Sequence, residues 1–275
     1  MNLIDSHIEN RINQQVLQPI LHNDYDSAIT SLPKILDQLY GNIPEKRRIS
    51  YGRVYTIKIL SEYLHTKLQN HKASVFEIAR RLFEKGEEWR TKGVTLGVLS
   101  YHGLSQYQVV LPYFAEAAAS PEWEIREFAQ MFFRKLTRGY PHEVRPFLLT
   151  SVKSGEANLR RFVAETLRPV QENQWIYSNP EYSVSILRHL FKESEPYPRT
   201  SVGNNLSDLA RRIPDLVYTL VEELVSSGNK NSYWIAYRAC RNLVKREPLK
   251  VMDLLTINEY RYKKRVYRRR DIPSE

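Results

Sequence analysis

The sequence predicts an all-α protein built as an α-solenoid, a superhelix of antiparallel helix pairs. Three observations support this fold class. Apolar residues recur at helical spacing along nearly the whole chain of 275 residues, without the sustained alternation that is typical of strands. Glycine occurs only 10 times, which is few for a sheet protein with many tight turns. Several helical stretches also resemble one another at a regular interval along the chain.

These helical stretches can be aligned residue by residue. Their first shared apolar position recurs after 34, 39 and 37 residues, and an earlier, weaker copy has Thr91, Thr95 and Leu99 at the shared positions. An all-helical repeat of this length, without the tetratricopeptide signature W-x-x-L-G-x-x-Y, is typical of HEAT-like helix pairs. The shared positions in the four clear copies are Ile125, Ala129 and Phe133; Leu159, Val163 and Leu167; Pro198, Val202 and Leu206; and Ile235, Ala239 and Leu243.

Loops are expected where glycine, proline, serine and asparagine cluster between the helices. No linker that would separate two domains lies within the repeats. We therefore expect one HEAT-like repeat domain over residues 1–260, with its clearest repeats at 85–255, and a basic C-terminal tail at 261–275. The clusters lie at residues 139–141, 154–155, 178–180, 194–198 and 227–229.

Composition excludes several functional classes. The hydrophobic content of 42% is sufficient for a real core. No apolar run approaches the roughly 18 residues that span a bilayer, and the start of the chain lacks signal-peptide features. The single cysteine, Cys240, excludes an internal disulfide and a CxxC metal site. These features predict a cytoplasmic monomer with no membrane partner, no organic cofactor and no metal.

Known catalytic motifs are missing from the sequence. The chain has no Walker A loop, and His142-Glu143 lacks the second histidine of a HExxH zinc site. Gly103-Leu104-Ser105 lacks the closing glycine of a nucleophile elbow.

The formal net charge of +10 is concentrated at the C-terminus. The segment RYKKRVYRRR (261–270) contributes +7 and the DIPSE that follows contributes −2, which leaves +5 for residues 1–260. Such a run is most often a solvated, flexible end. The interleaved Tyr260, Tyr262 and Tyr267 favour a second interpretation, a nucleic-acid-binding arm.

Charged residues recur on the face of each repeated helix that lies opposite the shared apolar positions. Equivalent helices of a solenoid line the same surface, so we expect one basic stripe that is interrupted by three carboxylates. The stripe is either an ordinary ion-paired surface, in which each pair contributes about 0.2–0.5 kcal/mol, or a surface that binds a phosphate backbone through arginine. Its members are Arg126, Glu127, Arg134, Arg161, Glu165, Arg168, Arg199, Asp208, Arg211, Arg241 and Lys245.

Four segments resemble the bacterial HEAT-like DNA alkylation-repair proteins of the AlkC/AlkD type. They are WEIREFA (123–129), NLRRFVAETLRP (158–169), YPRTSVGNNLSDLA (197–210) and WIAYRACRNLVKREP (234–248). The most specific part is the pattern V-R-R-x-x-x-E-x-x-R followed by V-R-x-S-V-x-N-x-L-x-D, in which Pro198 replaces a branched residue and Thr200 a basic one. The resemblance extends over residues 85–255.

The resemblance implies a solenoid that holds double-stranded DNA, including alkylated DNA, on its concave face. Active members are DNA glycosylases, which hydrolyse the N-glycosidic bond of cationic alkylpurines such as 3-methyladenine and 7-methylguanine. A cationic base is already a good leaving group, so the protein needs to stabilise only the oxocarbenium-like sugar, with a carboxylate and an aromatic face.

The motif also assigns residue roles. Glu165 matches the central carboxylate, and Asp208 matches the acid that closes the second motif. Glu127 matches an upstream carboxylate, and Trp175 matches the aromatic residue that follows the arginine-proline pair. These four are the candidate catalytic residues. The candidate DNA ligands are Arg126, Arg134, Arg161, Arg168, Arg199, Arg211, Arg241 and Lys245.

Two other functions are compatible with the same sequence. One is an inactive relative that recognises DNA structure without cleaving a glycosidic bond. The other is a protein-interaction scaffold whose stripe binds an acidic partner. A bacterial, nucleoid-associated location is expected if the chain binds DNA.

Overall fold

Helices form nearly all of the regular structure in the computed structural model, which describes residues 3–48, 52–72 and 74–272. This confirms the predicted all-α, helical-repeat fold. The chain forms two compact units, Met1–Tyr140 and Pro141–Glu275. None of the helices in the described segments combines the length and the apolar character that spanning a bilayer would require.

The helices of the first unit include the weak copy and the first clear copy of the repeat. A short π-helix, Asn13–Leu17, joins its first two helices. The helices are α1 (Ser6–Ile12), α2 (Gln18–Leu21), α3 (Tyr25–Gly41), α4 (Arg53–Asn70), α5 (Val75–Lys85), α6 (Trp89–His102), α7 (Tyr107–Ala119) and α8 (Trp123–Gly139).

Helix α6 is the packing centre of the first unit, because α4, α5 and α8 all contact it. Glycine permits this close approach. A Cβ atom on Gly97 would overlap the Ser61 side chain of α4 and come within 2.9 Å of Phe132 Cζ on α8. Ser61 Oγ in turn donates a hydrogen bond to the Val94 carbonyl at 3.0 Å.

The second unit contains the remaining three copies of the repeat. Helix α10 packs against α13, and α13 packs against α15, while α14 and α16 pack behind α15. The elements are α9 (Pro141–Ser151), α10 (Ala157–Thr166), α11 (Trp175–Ser178), α12 (Pro180–Leu187), α13 (Pro196–Leu209), α14 (Pro214–Ser226), α15 (Lys230–Ala239), α16 (Pro248–Leu255), β1 (Glu259–Tyr262) and β2 (Arg265–Arg268).

The repeat register predicted from the sequence matches the observed burial. The second shared position is fully buried in all four copies. The first lies in the first turn of α8, α10 and α13 and near the middle of α15, and it is buried in three of the four copies. Leu159 is the half-buried exception. Leu167 and Leu243 are buried just beyond the ends of α10 and α15, so the register continues past the regular helix in these copies.

A β-hairpin of residues 259–268 crosses the predicted start of the C-terminal tail at residue 261, so the first part of this tail is ordered and not the solvated, flexible end that was one of its two interpretations. Strands β1 and β2 pair antiparallel, with Tyr260 opposite Tyr267. The Tyr260 side chain is fully buried and stacks on Tyr237 of α15, with ring centroids 4.4 Å apart. Backbone pairing and this buried ring fix the segment up to Arg268. Residues 273–275 lie outside the described residues.

The close packing around Gly97 makes a testable prediction. Gly97→Ala should lower the free energy of unfolding by about 1–3 kcal/mol, because the added methyl group overpacks the contact with Ser61. Urea unfolding followed by circular dichroism measures the change. Gly41→Ala is the matched control in the same unit, because its Cβ would meet nothing within 4 Å. Equal stability of the two variants would contradict the close α4–α6–α8 packing.

Candidate nucleic-acid interface

Glu165 lies on α10 and is only 4% exposed. Ser201 of α13 donates its hydroxyl to Oε1 at 2.6 Å, and Arg168 Nη1 donates to Oε2 at 2.9 Å. Burial acts to raise the pKa of Glu165, but the charge of Arg168 and the hydrogen bonds from Ser201 and Arg168 together hold it below its ordinary value. The Glu165 carboxylate is therefore ionised at neutral pH.

Asp208, near the end of α13, is 5% exposed and is surrounded by three arginines. Arg168 donates to Oδ2 from Nε at 3.0 Å and from Nη2 at 2.6 Å. Arg241 Nη2 donates to Oδ1 at 3.3 Å, and Arg211 Nη2 lies 3.4 Å from the same oxygen. We refer to Glu165, Arg168, Asp208, Arg211 and Arg241 as the ion-pair network. Three cations and two anions give this network a formal charge of +1.

Polar residues of α13 hold Arg241 in place. Arg241 Nε donates to Ser207 Oγ at 2.9 Å, and Nη1 donates to Asn204 Oδ1 at 2.9 Å. Its Nη1 also donates to the Tyr262 hydroxyl of the hairpin at 3.2 Å. Arg238 shares the Asn204 acceptor at 2.9 Å. The Arg241 guanidinium therefore links α15 to α13 and to the hairpin.

Ser201, Asn204 and Ser207 were not among the predicted site residues, although a signal for them is present in the sequence. They are spaced by three residues along α13, with Asp208 next to the last of them. That spacing places all four on one helical face. Ser201 contacts Glu165 of α10 and Asn204 contacts Arg238 of α15, whereas Ser207 and Asp208 contact Arg241 and Arg168, which lie two residues beyond the ends of α15 and α10. The signal in the sequence is therefore a row of polar residues on one face of a repeated helix.

Two predicted DNA ligands of the second unit lie against aromatic rings. The Arg161 guanidinium is 4.3 Å from the centre of the Tyr197 ring, and Arg161 is mostly buried. Arg199 lies 4.6 Å from the Trp234 ring and donates to Asn231 Oδ1 at 2.6 Å. These arginines join successive repeats through cation–π contacts, which contribute roughly 0.5–2 kcal/mol each.

The outer part of the stripe is more accessible. The Arg211 side chain is 63% exposed. Lys245 is also exposed and donates to Asn242 Oδ1 at 2.8 Å. These two cations, unlike Arg168, lie where an incoming phosphate could reach them.

Three predicted residues lie on α8, in the first unit. Arg126 Nη1 donates to the carbonyls of Ser120 and Pro121 at 2.7 and 2.8 Å. Glu127 accepts a hydrogen bond from the Gln130 side chain, and Arg134 is mostly buried.

Arg160 occupies the place of Arg126 in the next copy of the repeat. Its Nη1 donates to the carbonyls of Ser154 and Gly155 at 2.9 and 3.0 Å. In both copies, therefore, the arginine that follows the first shared position donates hydrogen bonds to the loop before its own helix. Arg160 also makes a bidentate ion pair with the buried Glu193, with distances of 2.6 and 3.1 Å.

Trp175 opens α11, and its described contacts are with residues other than Glu165 and Asp208. Its Nε1 donates to Asn173 Oδ1 at 2.6 Å, and its ring centroid is 5.1 Å from that of Tyr182. The tryptophan lines a surface cavity of about 460 Å³ together with Pro141, His142 and Tyr182. Ion pairs join five of the predicted site residues as the ion-pair network, and the charge of Arg161 also acts on Glu165.

The described residues contain no group of three or more histidine, cysteine, aspartate and glutamate side chains that is placed to hold a metal ion. The ion-pair network consists of charged groups joined by hydrogen bonds. It can bind anionic groups at its arginines, and it can place negative charge next to a developing cation at its carboxylates.

Three solved structures share this fold. The smu.31 protein from Streptococcus mutans UA159 matches with a TM-score of 0.52 and 17% identity, covering 67% of this chain and 98% of that chain. AlkD2 from Streptococcus mutans matches with a TM-score of 0.53 and 16% identity, and the match covers 76% of this chain and 98% of the AlkD2 chain. The third structure is the Pseudomonas fluorescens alkylpurine DNA glycosylase AlkC bound to DNA containing an abasic site analog. It matches with a TM-score of 0.54 and 18% identity, and the match covers 90% of this chain and 64% of the AlkC chain.

No family model matches the sequence, and no curated protein sequence matches it either. The three structural matches have low identities, and they establish the shared helical-repeat fold. They confirm the fold that the resemblance to AlkC/AlkD-type proteins predicted.

Arg168 should be the most costly member of the network to remove. Arg168→Gln leaves Glu165 and Asp208 buried without their shared cation, so the free energy of unfolding should fall by about 3–5 kcal/mol. Arg211→Gln is the matched control, because its exposed side chain should contribute less than about 0.5 kcal/mol. Urea unfolding at pH 7 compares the two variants, and equal losses would contradict the central position of Arg168.

The Arg168→Gln deficit should also depend on pH. In the wild type the folded pKa of Glu165 is lowered, so its stabilising contribution is complete above the unfolded pKa and is lost as pH falls through the folded pKa. In the variant Glu165 loses the cation that helps to lower its pKa, so it takes up a proton more readily. The difference in unfolding free energy between wild type and variant should therefore narrow below about pH 4. A deficit that stays constant with pH would assign the loss to packing alone.

Proposed function

We propose that this protein binds double-stranded DNA and acts in DNA alkylation repair as a glycosylase for cationic alkylpurines. The observation that carries the proposal is the ion-pair network, in which two buried carboxylates are paired with arginines across three successive repeats. The fold that presents it is shared with an alkylpurine DNA glycosylase solved in complex with DNA.

The proposed reaction needs little from the protein. The bond between C1′ and the base nitrogen breaks, and its electron pair neutralises the positive charge of the alkylated base. The deoxyribose that remains is oxocarbenium-like until water adds at C1′ and loses a proton. An adjacent carboxylate stabilises this cation more strongly than it stabilises the ground state, and that difference accelerates the reaction.

Glu165 and Asp208 are the proposed source of this negative charge. Arg168 holds both carboxylates in one orientation, with bonds of 2.6 to 3.0 Å, so neither has to reorganise when the cation develops. Ser201 fixes the second oxygen of Glu165. Preorganisation of this kind is the physical basis of electrostatic catalysis. The exposed Arg211 and Lys245 are the proposed phosphate ligands at the edge of the network.

The same ion pairs favour a second candidate function. Each carboxylate already accepts charge-assisted hydrogen bonds from arginine, which reduces the negative charge available to a sugar cation. A protein with this network could recognise DNA without cleaving a glycosidic bond. DNA binding and base release therefore have to be measured separately. A scaffold for an acidic protein would neither bind DNA nor release a base from it.

DNA binding should depend steeply on salt and on the exposed cations. Arg211→Gln and Lys245→Gln should each reduce the negative log–log slope of affinity against salt by about 0.9, because each removes one phosphate contact. Fluorescence anisotropy with a labelled duplex measures the slope. Lys153→Gln is the control, since it removes the same charge from the loop after α9. Unchanged slopes in both variants would favour the scaffold function.

Base release should depend on the two network carboxylates. If the protein is a glycosylase, Glu165→Gln or Asp208→Asn should slow release of methylated purines from DNA by about 10²–10³-fold, the effect of losing one electrostatic stabiliser. Glu193→Gln is a matched control, because it neutralises a buried carboxylate that is paired with Arg160 outside the network. Its rate should stay within a few-fold of wild type.

Measuring DNA binding and base release by the wild-type protein distinguishes the two candidate functions. DNA binding without release of alkylated purines would contradict the glycosylase and support the DNA-recognition function. Because the pKa of Glu165 is lowered, this carboxylate stays ionised between pH 6 and 8, and we expect no loss of glycosylase activity from its protonation in that range. Loss of activity from protonation of Glu165 would be expected only on the acid side of its ordinary range.

A further inference from the structure

The C-terminal hairpin is firmly attached to the last repeat. Tyr260 is fully buried against Tyr237, and its hydroxyl donates to the Tyr237 carbonyl at 2.7 Å. The Tyr237 hydroxyl accepts a hydrogen bond from the Arg261 amide at 2.7 Å. A solvated tail would not need such an anchor. A segment that is already ordered loses little conformational entropy when it binds a partner.

The charges of the hairpin are unequally compensated. Arg261 and Arg268 both pair with Glu259, Arg269 pairs with Asp253, and Arg270 lies 3.7 Å from Asp271. The remaining three cations are consecutive at the turn and the start of β2, and all three are exposed. They are Lys263, Lys264 and Arg265, which we refer to as the hairpin tip.

No member of the hairpin tip forms an ion pair with a carboxylate of the described residues; Lys263 lies 5.8 Å from the Tyr262 ring centre. Three adjacent uncompensated cations repel one another, so the arrangement favours binding of an anion. Lysine is depleted in the cores of protein interfaces, whereas lysine and arginine are the usual ligands of backbone phosphates. The chemistry of the tip therefore fits a nucleic-acid backbone better than a protein surface.

The hairpin tip is also continuous with the ion-pair network. Tyr262, which precedes the tip directly, accepts a hydrogen bond from Arg241 at 3.2 Å, and Arg241 pairs with Asp208 at 3.3 Å. The Arg241 guanidinium lies 5.6 Å from the Tyr262 ring. A member of the network, Arg241, therefore contacts the residue that directly precedes the tip.

We propose that the hairpin tip is a second DNA contact, which binds backbone phosphates of the strand next to the ion-pair network. The proposal rests on the proposed DNA-binding function and adds a separate anion site to it. The tip supplies positive charge without any buried group, so it contributes affinity that is independent of base sequence and of alkylation.

A triple substitution tests the tip. In Lys263→Gln/Lys264→Gln/Arg265→Gln, the negative log–log slope of duplex affinity against salt should fall by about 2.7, or 0.9 for each lost phosphate contact. The affinity ratio of wild type to variant should then shrink about 40-fold between 50 and 200 mM salt. Lys264→Gln alone should lower the slope by about 0.9. Circular dichroism and the thermal midpoint verify that the exposed substitutions leave the fold unchanged.

The matched control is Lys153→Gln/Lys192→Gln/Lys230→Gln, which removes the same charge from exposed positions of the second unit. A slope that falls in the tip variant but not in this control supports the proposal. Equal decreases in both would assign the effect to net charge, and an unchanged tip variant would remove the tip from the interface; either result overturns the proposal. Wild-type protein that binds no duplex overturns the proposed DNA-binding function itself, and the tip proposal with it.

Discussion

The arrangement of the second unit depends on one guanidinium, that of Arg168. Glu165 and Asp208 are buried on adjacent helices, and two ionised carboxylates cannot be removed from water side by side without a cation between them. Arg168 satisfies both with bonds of 2.6 to 3.0 Å. Its position therefore fixes how α10 lies against α13, and Arg241 extends the same constraint to α15 and the hairpin.

This constraint has a consequence for function, because one set of arginines serves structure and the proposed substrate binding together. A phosphate that approached Arg168 would compete with two carboxylates that it already binds. Arg211 is different, since its exposed side chain reaches Asp208 at 3.4 Å and can turn toward solvent at little cost. The physical division within the stripe is therefore between buried cations, which organise the carboxylates, and exposed cations, which remain available to an anion.

The sequence predicted the features that repeat and missed those that occur once. Ala129, Val163, Val202 and Ala239 were correctly placed in the core because a buried position recurs with the helical repeat. The pairing of Arg168 with Asp208 joins residues 40 positions apart, and no local periodicity encodes such a contact. Arg126 stays a predicted DNA ligand, and the spacing did not show that its guanidinium also caps the preceding loop, as that of Arg160 does one repeat later. The hairpin was missed because its two strands have four residues each, and a dense charge run hides their alternation.

Burial also changes what the charge of this protein implies for binding. Eight cations of the stripe were predicted as DNA ligands from sequence, and a salt dependence based on all eight would be very steep. Arg161 is mostly buried under Tyr197, and Arg168 is engaged by two carboxylates. Counterions condense around DNA phosphates, and only a cation that reaches a phosphate releases them. In the proposed complex, the salt dependence of DNA affinity should therefore follow the exposed cations, Arg211 and Lys245 together with the hairpin tip, rather than the total number of arginines in the repeats.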